Sequence, residues 1–222
     1  LHWLERESRA EHVGSEGPAP AFRQIAGDPW LWRCSVAWLL VMTGSYALVY
    51  WLPQLVRQLA LGGSEFAIGA LSALPLLALA VGLVANARRS DRRGERLLHT
   101  GVPCAAAGAA MIAASVLPPG WPVLALLCIA GLGIGAAQGV FWAIPASVRL
   151  GGNSVPAGAI ALISMFGTAG GVIGPWLTGV LIGGRGGFPL AIALLAALLI
   201  LALPVLVLQT AGGTTRLRSI GQ

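Results

Sequence analysis

Residues Leu190–Leu208 read LAIALLAALLILALPVLVL, nineteen positions without one polar side chain. As an α-helix that run is about 28 Å long at 1.5 Å per residue. It therefore matches the roughly 30 Å hydrocarbon core of a bilayer. A helix at the surface of a soluble domain keeps a polar face toward water, and this run has none. The pattern recurs along the chain. Formal charge is absent between Arg96 and Arg149, between Arg149 and Arg185, and between Arg185 and Arg216. Over 222 residues, 56% are hydrophobic and 10% charged, with a mean hydropathy of +0.80. A soluble domain carries roughly 25% charged residues. Lipid offers no partner to a backbone amide, so each span must close its hydrogen bonds internally as a helix. The chain reads as an all-α integral membrane protein.

Six spans are expected: Trp32–Leu52, Phe66–Ala87, Leu98–Leu117, Val123–Val148, Val155–Ile182 and Phe188–Leu208. Pro53 is expected to end the first, because proline lacks the amide donor and clashes with the preceding turn. The run Pro118-Pro119-Gly120-Trp121-Pro122 forces a tight turn, Gly151–Ser154 forms a loop, and Gly183–Gly187 forms another. The division that follows is residues 1–29 as a polar cytoplasmic segment, 30–210 as a six-helix transmembrane domain, and 211–222 as a cytoplasmic tail.

The net charge is +6, and all fourteen basic residues are Arg. Such a balance serves nucleic acid only where the cations share a soluble face. Here they lie between apolar spans, so nucleic acid is excluded as a partner. Arg23, Arg33, Arg88, Arg89, Arg92, Arg93, Arg96, Arg149, Arg216 and Arg218 fall on one side of the membrane, and only Arg57 and Arg185 on the other. The positive-inside rule then puts both termini and the Arg-rich loop in the cytoplasm. Residues 1–29 show no signal-peptide pattern and read as part of a polar loop, so the chain is expected to belong to a longer protein. Cys34, Cys104 and Cys128 lie in or beside apolar segments at spacings that match no metal site and no disulfide framework, and they read as small buried side chains.

Polar residues mark the inward faces, since they are costly in hydrocarbon. Thr43, Tyr46 and Tyr50 share a face of span one, Gln138 and Trp142 a face of span four, and Ser164 and Thr168 a face of span five. Spans three and six, rich in Ala and Leu, suit contact with lipid. Gly131, Gly135 and Gly139, with Gly167/Gly171 and Gly170/Gly174, are spaced by four, which lets helices approach closely or slide. Pro145 and Pro175 favour bends of the kind found in transporter helices.

The loop Ser90-Asp91-Arg92-Arg93-Gly94-Glu95-Arg96 resembles the cytoplasmic signature of the major facilitator superfamily, which follows the second helix of each six-helix half. Its flanks, Tyr50-Trp51-Leu52-Pro53, Gly69 to Pro75, Ser90 to His99, Phe141 to Pro145 and Ala161 to Pro175, resemble the anion:cation symporter family, which carries tartrate, hexuronates, galactonate, phthalate and hydroxyphenylacetate. Trp3-Leu4 with Glu5-Arg6-Glu7 is similar to that family's central cytoplasmic loop. The resemblance implies six helices forming one half, helices seven to twelve, of a twelve-helix carrier, built as two three-helix inverted repeats.

By the same resemblance, the first and fourth spans line the substrate cavity, with Tyr46, Tyr50, Gln138 and Trp142 as substrate-binding positions joined by Ser164 and Thr168. The family usually has Asn at these last two. A shorter hydroxyl replaces an amide that both donates and accepts, which argues against a polyhydroxy sugar acid and leaves less polar acids, aromatic ones included, open. Asp91, with Arg92, Gly94 and Arg96, would stabilise one access state through nearby Arg and a helix N-terminus that belongs to the absent half.

No Asp or Glu lies inside a span, although proton coupling within membranes uses buried ionisable groups. The resemblance implies that such groups, and a cationic clamp for an anion, belong to an N-terminal six-helix half, so the chain alone is expected not to transport. The implied function is secondary transport of a small organic acid with protons across a bacterial inner membrane, without a cofactor or metal. A truncated non-transporting remnant and a drug exporter are the alternatives. An intramembrane enzyme would need a nucleophile with its base, or metal ligands, and Ser164 has no His or Lys at helical spacing.

Overall fold

The computed structural model describes residues 27–61, 63–147, 157–184 and 187–218. The segment Trp3–Glu7, the loop Gly151–Ser154, and Arg23, Arg149 and Arg185 lie outside them. All regular structure among the described residues is helical: α1 (Pro29–Gln58), α2 (Glu65–Arg93), α3 (Leu97–Val116), α4 (Trp121–Phe141), a short α5 (Ala143–Ser147), α6 (Ala157–Gly183) and α7 (Gly187–Arg218). Six stretches are long and apolar enough to cross a membrane, the fourth comprising α4 and the start of α5, and the last ending at Leu206.

Helix ends differ from expectation in α1, α2 and α7, the last running on past Leu208 to Arg218. Pro53 does not stop α1, which runs on to Gln58. One interior proline costs about 3 kcal/mol, but Leu52, Leu55, Val56 and Leu59 around and beyond it are buried in the main apolar cluster, and each such burial is worth about 1.5–3 kcal/mol. Likewise α2 does not end at Ala87. It continues through the Arg-rich segment to Arg93, so Asp91 and Arg92 are helical rather than loop residues. Gly94, at φ 67°, supplies the left-handed cap, and its amide donates to the Ser90 carbonyl at 2.9 Å. In the fourth span the helix is interrupted at Trp142. Pro145 offers no amide to the Phe141 carbonyl four residues back, which explains the break. Pro175 leaves α6 continuous.

The packing has a two-fold pattern. The most extensive contacts are α2 on α4 and α1 on α6; α3 on α4 matches α1 on α7, and α3 and α7 pack on each other. Exchanging α1 with α4, α2 with α6 and α3 with α7 leaves this set unchanged. Three crossings per unit reverse the second unit relative to the first, so the domain is two three-helix inverted repeats. The membrane-spanning windows of α1 and α4 are 67% and 61% buried, those of α2 and α6 only 22% and 28%. Thus α1 and α4 are central and α2 and α6 flank them. The Ala- and Leu-rich α3 and α7 do not face only lipid. Ala107, Met111, Ala196 and Leu199 are buried in one cluster, while Val102, Val116 and Leu201 face outward.

Glycine makes the close packing possible. A methyl group at Gly131, Gly135 or Gly139 would run into the backbone carbonyls of Pro75, Leu79 and Leu83, so α4 lies directly against the backbone of α2. One at Gly170 would lie 2.7 Å from the Leu39 carbonyl oxygen and 2.9 Å from Thr43 Oγ1, so α6 approaches α1 in the same way.

Candidate functional site

Four of the buried hydroxyls inside the spans are satisfied within their own helices. Ser35, Thr43, Ser72 and Thr178 each donate to the carbonyl four residues earlier, at 2.7 to 2.9 Å. Thr43 therefore does not share the outward face of Tyr46 and Tyr50. It is buried, with its hydroxyl toward Gly170 and its backbone carbonyl against Gly174 of α6.

The remaining polar and aromatic groups gather along α1, which packs on both α6 and α4. Gln138 Nε2 donates to Ser45 Oγ at 2.7 Å, bridging α4 to α1. A second bridge lies farther along. Trp38 stacks on Phe141 with ring centroids 4.2 Å apart and meets Trp142 edge-on at 5.2 Å. On α1 the two bridges are about 10 Å apart and on α4 about 6 Å apart by helical rise, and their order shows the helices running antiparallel. From α6, Gly167 accommodates Trp38, and Gly171 lies beneath the Tyr46 ring. Ser164 and Thr168 are one helical turn apart on α6, next to these glycines, with Thr168 Oγ1 donating to the Ser164 carbonyl at 3.0 Å.

Gln138 and Trp142 thus meet α1, Tyr46 of α1 lies over Gly171 of α6, and Ser164 and Thr168 stand within a turn of Gly167 on α6; these residues make up the candidate face. Tyr46 is 50% exposed and Trp142 37%, so their rings are open on the side away from the bundle. Tyr50 is a full turn beyond, 68% exposed, with its ring edge-on to Trp51 rather than in the cluster. Trp51 instead ties α1 to α6 through Nε1 to the Pro175 carbonyl at 3.0 Å. The face carries no formal charge: none occurs on α1 between Arg33 and Arg57, on α4, or on α6. It is a wall of indole and phenol rings with an amide and two hydroxyls, suited to an organic framework with few polar groups.

Trp38 and Ser45 were not singled out from sequence, yet they support Trp142 and Gln138. Their signal was present, since Trp38, Ser45 and Tyr46 fall at i, i+7 and i+8, near one face of α1. Asn86 escaped too. Its Nδ2 donates to the His99 carbonyl at 2.6 Å and the Ala136 carbonyl at 2.8 Å, joining α2, α3 and α4.

The α2–α3 connection carries its own network of charged groups. Asp91 pairs with Arg96 rather than Arg92, and it sits at a helix C-terminus. The carboxylate at a helix N-terminus is Glu95, which accepts from the amides of Leu98 at 2.7 Å and His99 at 3.0 Å and meets His99 Nδ1 at 2.7 Å. Desolvation pushes the Glu95 carboxyl upward, but the Leu98 amide and the His99 imidazole and amide outweigh it, so Glu95 titrates below its ordinary value. Ser90 Oγ donates to the Glu95 carbonyl at 2.6 Å and accepts from Arg96 Nη1 at 3.1 Å. Gly94 provides the turn that brings these groups together.

Six helices long and apolar enough to cross a membrane, packed as two inverted three-helix repeats, define the six-helix half of a larger membrane fold. The sequence profile of the Major Facilitator Superfamily matches residues 1–151, and the chain belongs to that family. It is 30% identical over 90% of its length to a "Putative tartrate transporter" of Agrobacterium vitis, covering 44% of that protein. It is 32% identical over 66% of its length to "Inner membrane transport protein RhmT" of Escherichia coli (strain K12), covering 34%. It is 33% identical over 65% of its length to a "Quinolone resistance transporter" of Acinetobacter baumannii, covering 32%. The chain spans less than half the length of these relatives. Their names describe transporters, not enzymes.

Proposed function

We propose that the chain is the C-terminal six-helix half of a secondary transporter that moves a small organic anion across a bacterial inner membrane with protons. Its Arg-rich end and both termini face the cytoplasm. Alternating access would come from rocking this half against an N-terminal half. That partner would supply the cationic clamp and the proton-coupling group, because the face formed by α1, α4 and α6 carries neither.

The observation that carries the reading is the Gln138–Ser45 bridge beside the open rings of Tyr46 and Trp142. Trp142 would wall in the organic part of the substrate, Gln138 would hold a hydroxyl or carboxylate, and Ser164 and Thr168 would add short donors. Hydroxyls in place of amides, together with so much indole surface, favour an aromatic or weakly hydroxylated acid over a sugar acid. Similarity to putative tartrate transporters supports an acid as substrate. The same uncharged aromatic face, with similarity to a quinolone resistance transporter, favours export of an aromatic drug as the second reading.

The test is uptake into proteoliposomes under an imposed pH gradient, with tartrate, an aromatic carboxylate and a quinolone as solutes. The chain joined to its N-terminal half should accumulate the acid and lose accumulation with a protonophore. The chain alone should accumulate none. Proton-coupled uptake by residues 1–222 alone would overturn the division of labour, and quinolone movement without acid uptake would select the second reading.

A further inference from the structure

Arg88, Arg89, Arg92 and Arg93 occupy the last two turns of α2, all exposed, away from the aromatic face described above. With Ala85 they line a cleft of about 460 Å³. The carboxylates nearest in sequence are already engaged, Asp91 by Arg96 and Glu95 by the start of α3 and His99. Among the described residues no acidic side chain pairs with any of the four arginines. The helix dipole favours cations in a final turn, which accounts for Arg92 and Arg93. It does not account for Arg88 and Arg89 a turn earlier.

What lies beneath them narrows the ligand. Leu74, Leu77, Val81, Ala85, Arg88 and Arg92 follow one another in steps of three or four and so form one stripe on α2. Leu74, Leu77 and Val81 on that stripe are exposed. From Leu77 to Arg88 the rise is about 16 Å, close to half of the roughly 30 Å hydrocarbon core. An apolar strip one leaflet deep therefore ends in an uncompensated cluster of guanidinium groups. Guanidinium forks match phosphate oxygens in pairs.

We infer that this face of α2 binds an anionic phospholipid, its phosphate held in the cleft by Arg88, Arg89, Arg92 and Arg93 and an acyl chain lying along Val81 and Leu77. A free phosphate would satisfy the arginines but leave the strip unused. Each Arg of a basic cluster near the membrane surface adds to its attraction for anionic headgroups, so removing two should weaken binding on the order of tenfold or more.

The experiment uses the full chain in a neutral detergent, with thermal unfolding and native mass spectrometry as readouts. Probes are phosphatidylglycerol, phosphatidylcholine and inorganic phosphate. Phosphatidylglycerol should raise the unfolding temperature and stay bound, with salt weakening the effect. The double variant Arg88→Gln/Arg92→Gln should lose both responses, while Arg57→Gln, at the other end of the bundle, keeps them. Should the double variant aggregate, competition between phosphatidylglycerol and phosphatidylcholine on the unaltered chain decides alone. Equal retention of the two lipids, stabilisation by inorganic phosphate matching the lipid, an unchanged response in the double variant, or no response at all would each overturn the inference.

Discussion

Replacing Gly135 by Ala is the sharpest probe of the packing. A methyl group there would overlap the Leu79 carbonyl oxygen and lie 2.7 Å from the Leu79 carbonyl carbon and 2.9 Å from its Cα. These are backbone atoms in mid-helix, so no side chain can move aside. The two helices must separate, and Gly131 against Pro75 and Gly139 against Leu83 lose contact together. Overpacking alone costs about 1–3 kcal/mol, and each backbone Cα–H to carbonyl contact forfeited adds perhaps 0.5–1 kcal/mol. A loss of about 3 kcal/mol or more follows. Gly69→Ala on α2 is the control, because nothing lies within 4 Å of the added methyl. There Ala should stabilise by up to about 1 kcal/mol through helix propensity. Thermal unfolding of both variants in detergent should therefore move in opposite directions. Equal tolerance of the two substitutions would refute the close seam between α2 and α4.

Ala60 adopts a left-handed conformation at φ 53°, just past the end of α1, so Ala60→Gly should raise stability by about 1 kcal/mol in the same unfolding assay. Glu95 contributes stability that is present above its unfolded value, about 4.3, and is lost as pH falls through its lowered folded value; Glu95→Gln should flatten the acid limb of a stability-versus-pH curve. Trp142→Ala should leave membrane insertion intact and weaken substrate binding about tenfold, since one aromatic contact is worth about 0.5–1.5 kcal/mol beyond its buried area; equilibrium binding of the transported acid measures it.

What could be read in advance was whatever helical spacing encodes. The six spans, the facing pair Gln138 and Trp142, and the glycines at spacings of four all depend on residues a turn apart, and the structure places them accordingly. Helix ends were harder. Pro53 looks like a terminator until the burial of Leu55 and Val56 beyond it is known, and the charged run to Arg93 looks like a loop until Gly94 is seen to cap it. The roles of Trp38, Ser45 and Asn86 come from helices distant in sequence, so no local pattern ranks them above other small or aromatic residues. Glu95 was overlooked because its contact with the amides of Leu98 and His99 depends on where α2 stops and α3 starts.

The central claim is that the face of Tyr46, Trp142 and Thr168 meets water and solute rather than lipid. Cysteine labelling tests it most directly. In the full-length carrier, with Cys34, Cys104 and Cys128 replaced by Ala, a membrane-impermeant thiol reagent should modify Cys introduced at Tyr46, Trp142 or Thr168. The transported acid should protect these positions, while Cys at Leu77 or Val81 should stay unmodified. Labelling of Leu77 and Val81 with none at the other three, or labelling that no solute blocks, would contradict the account.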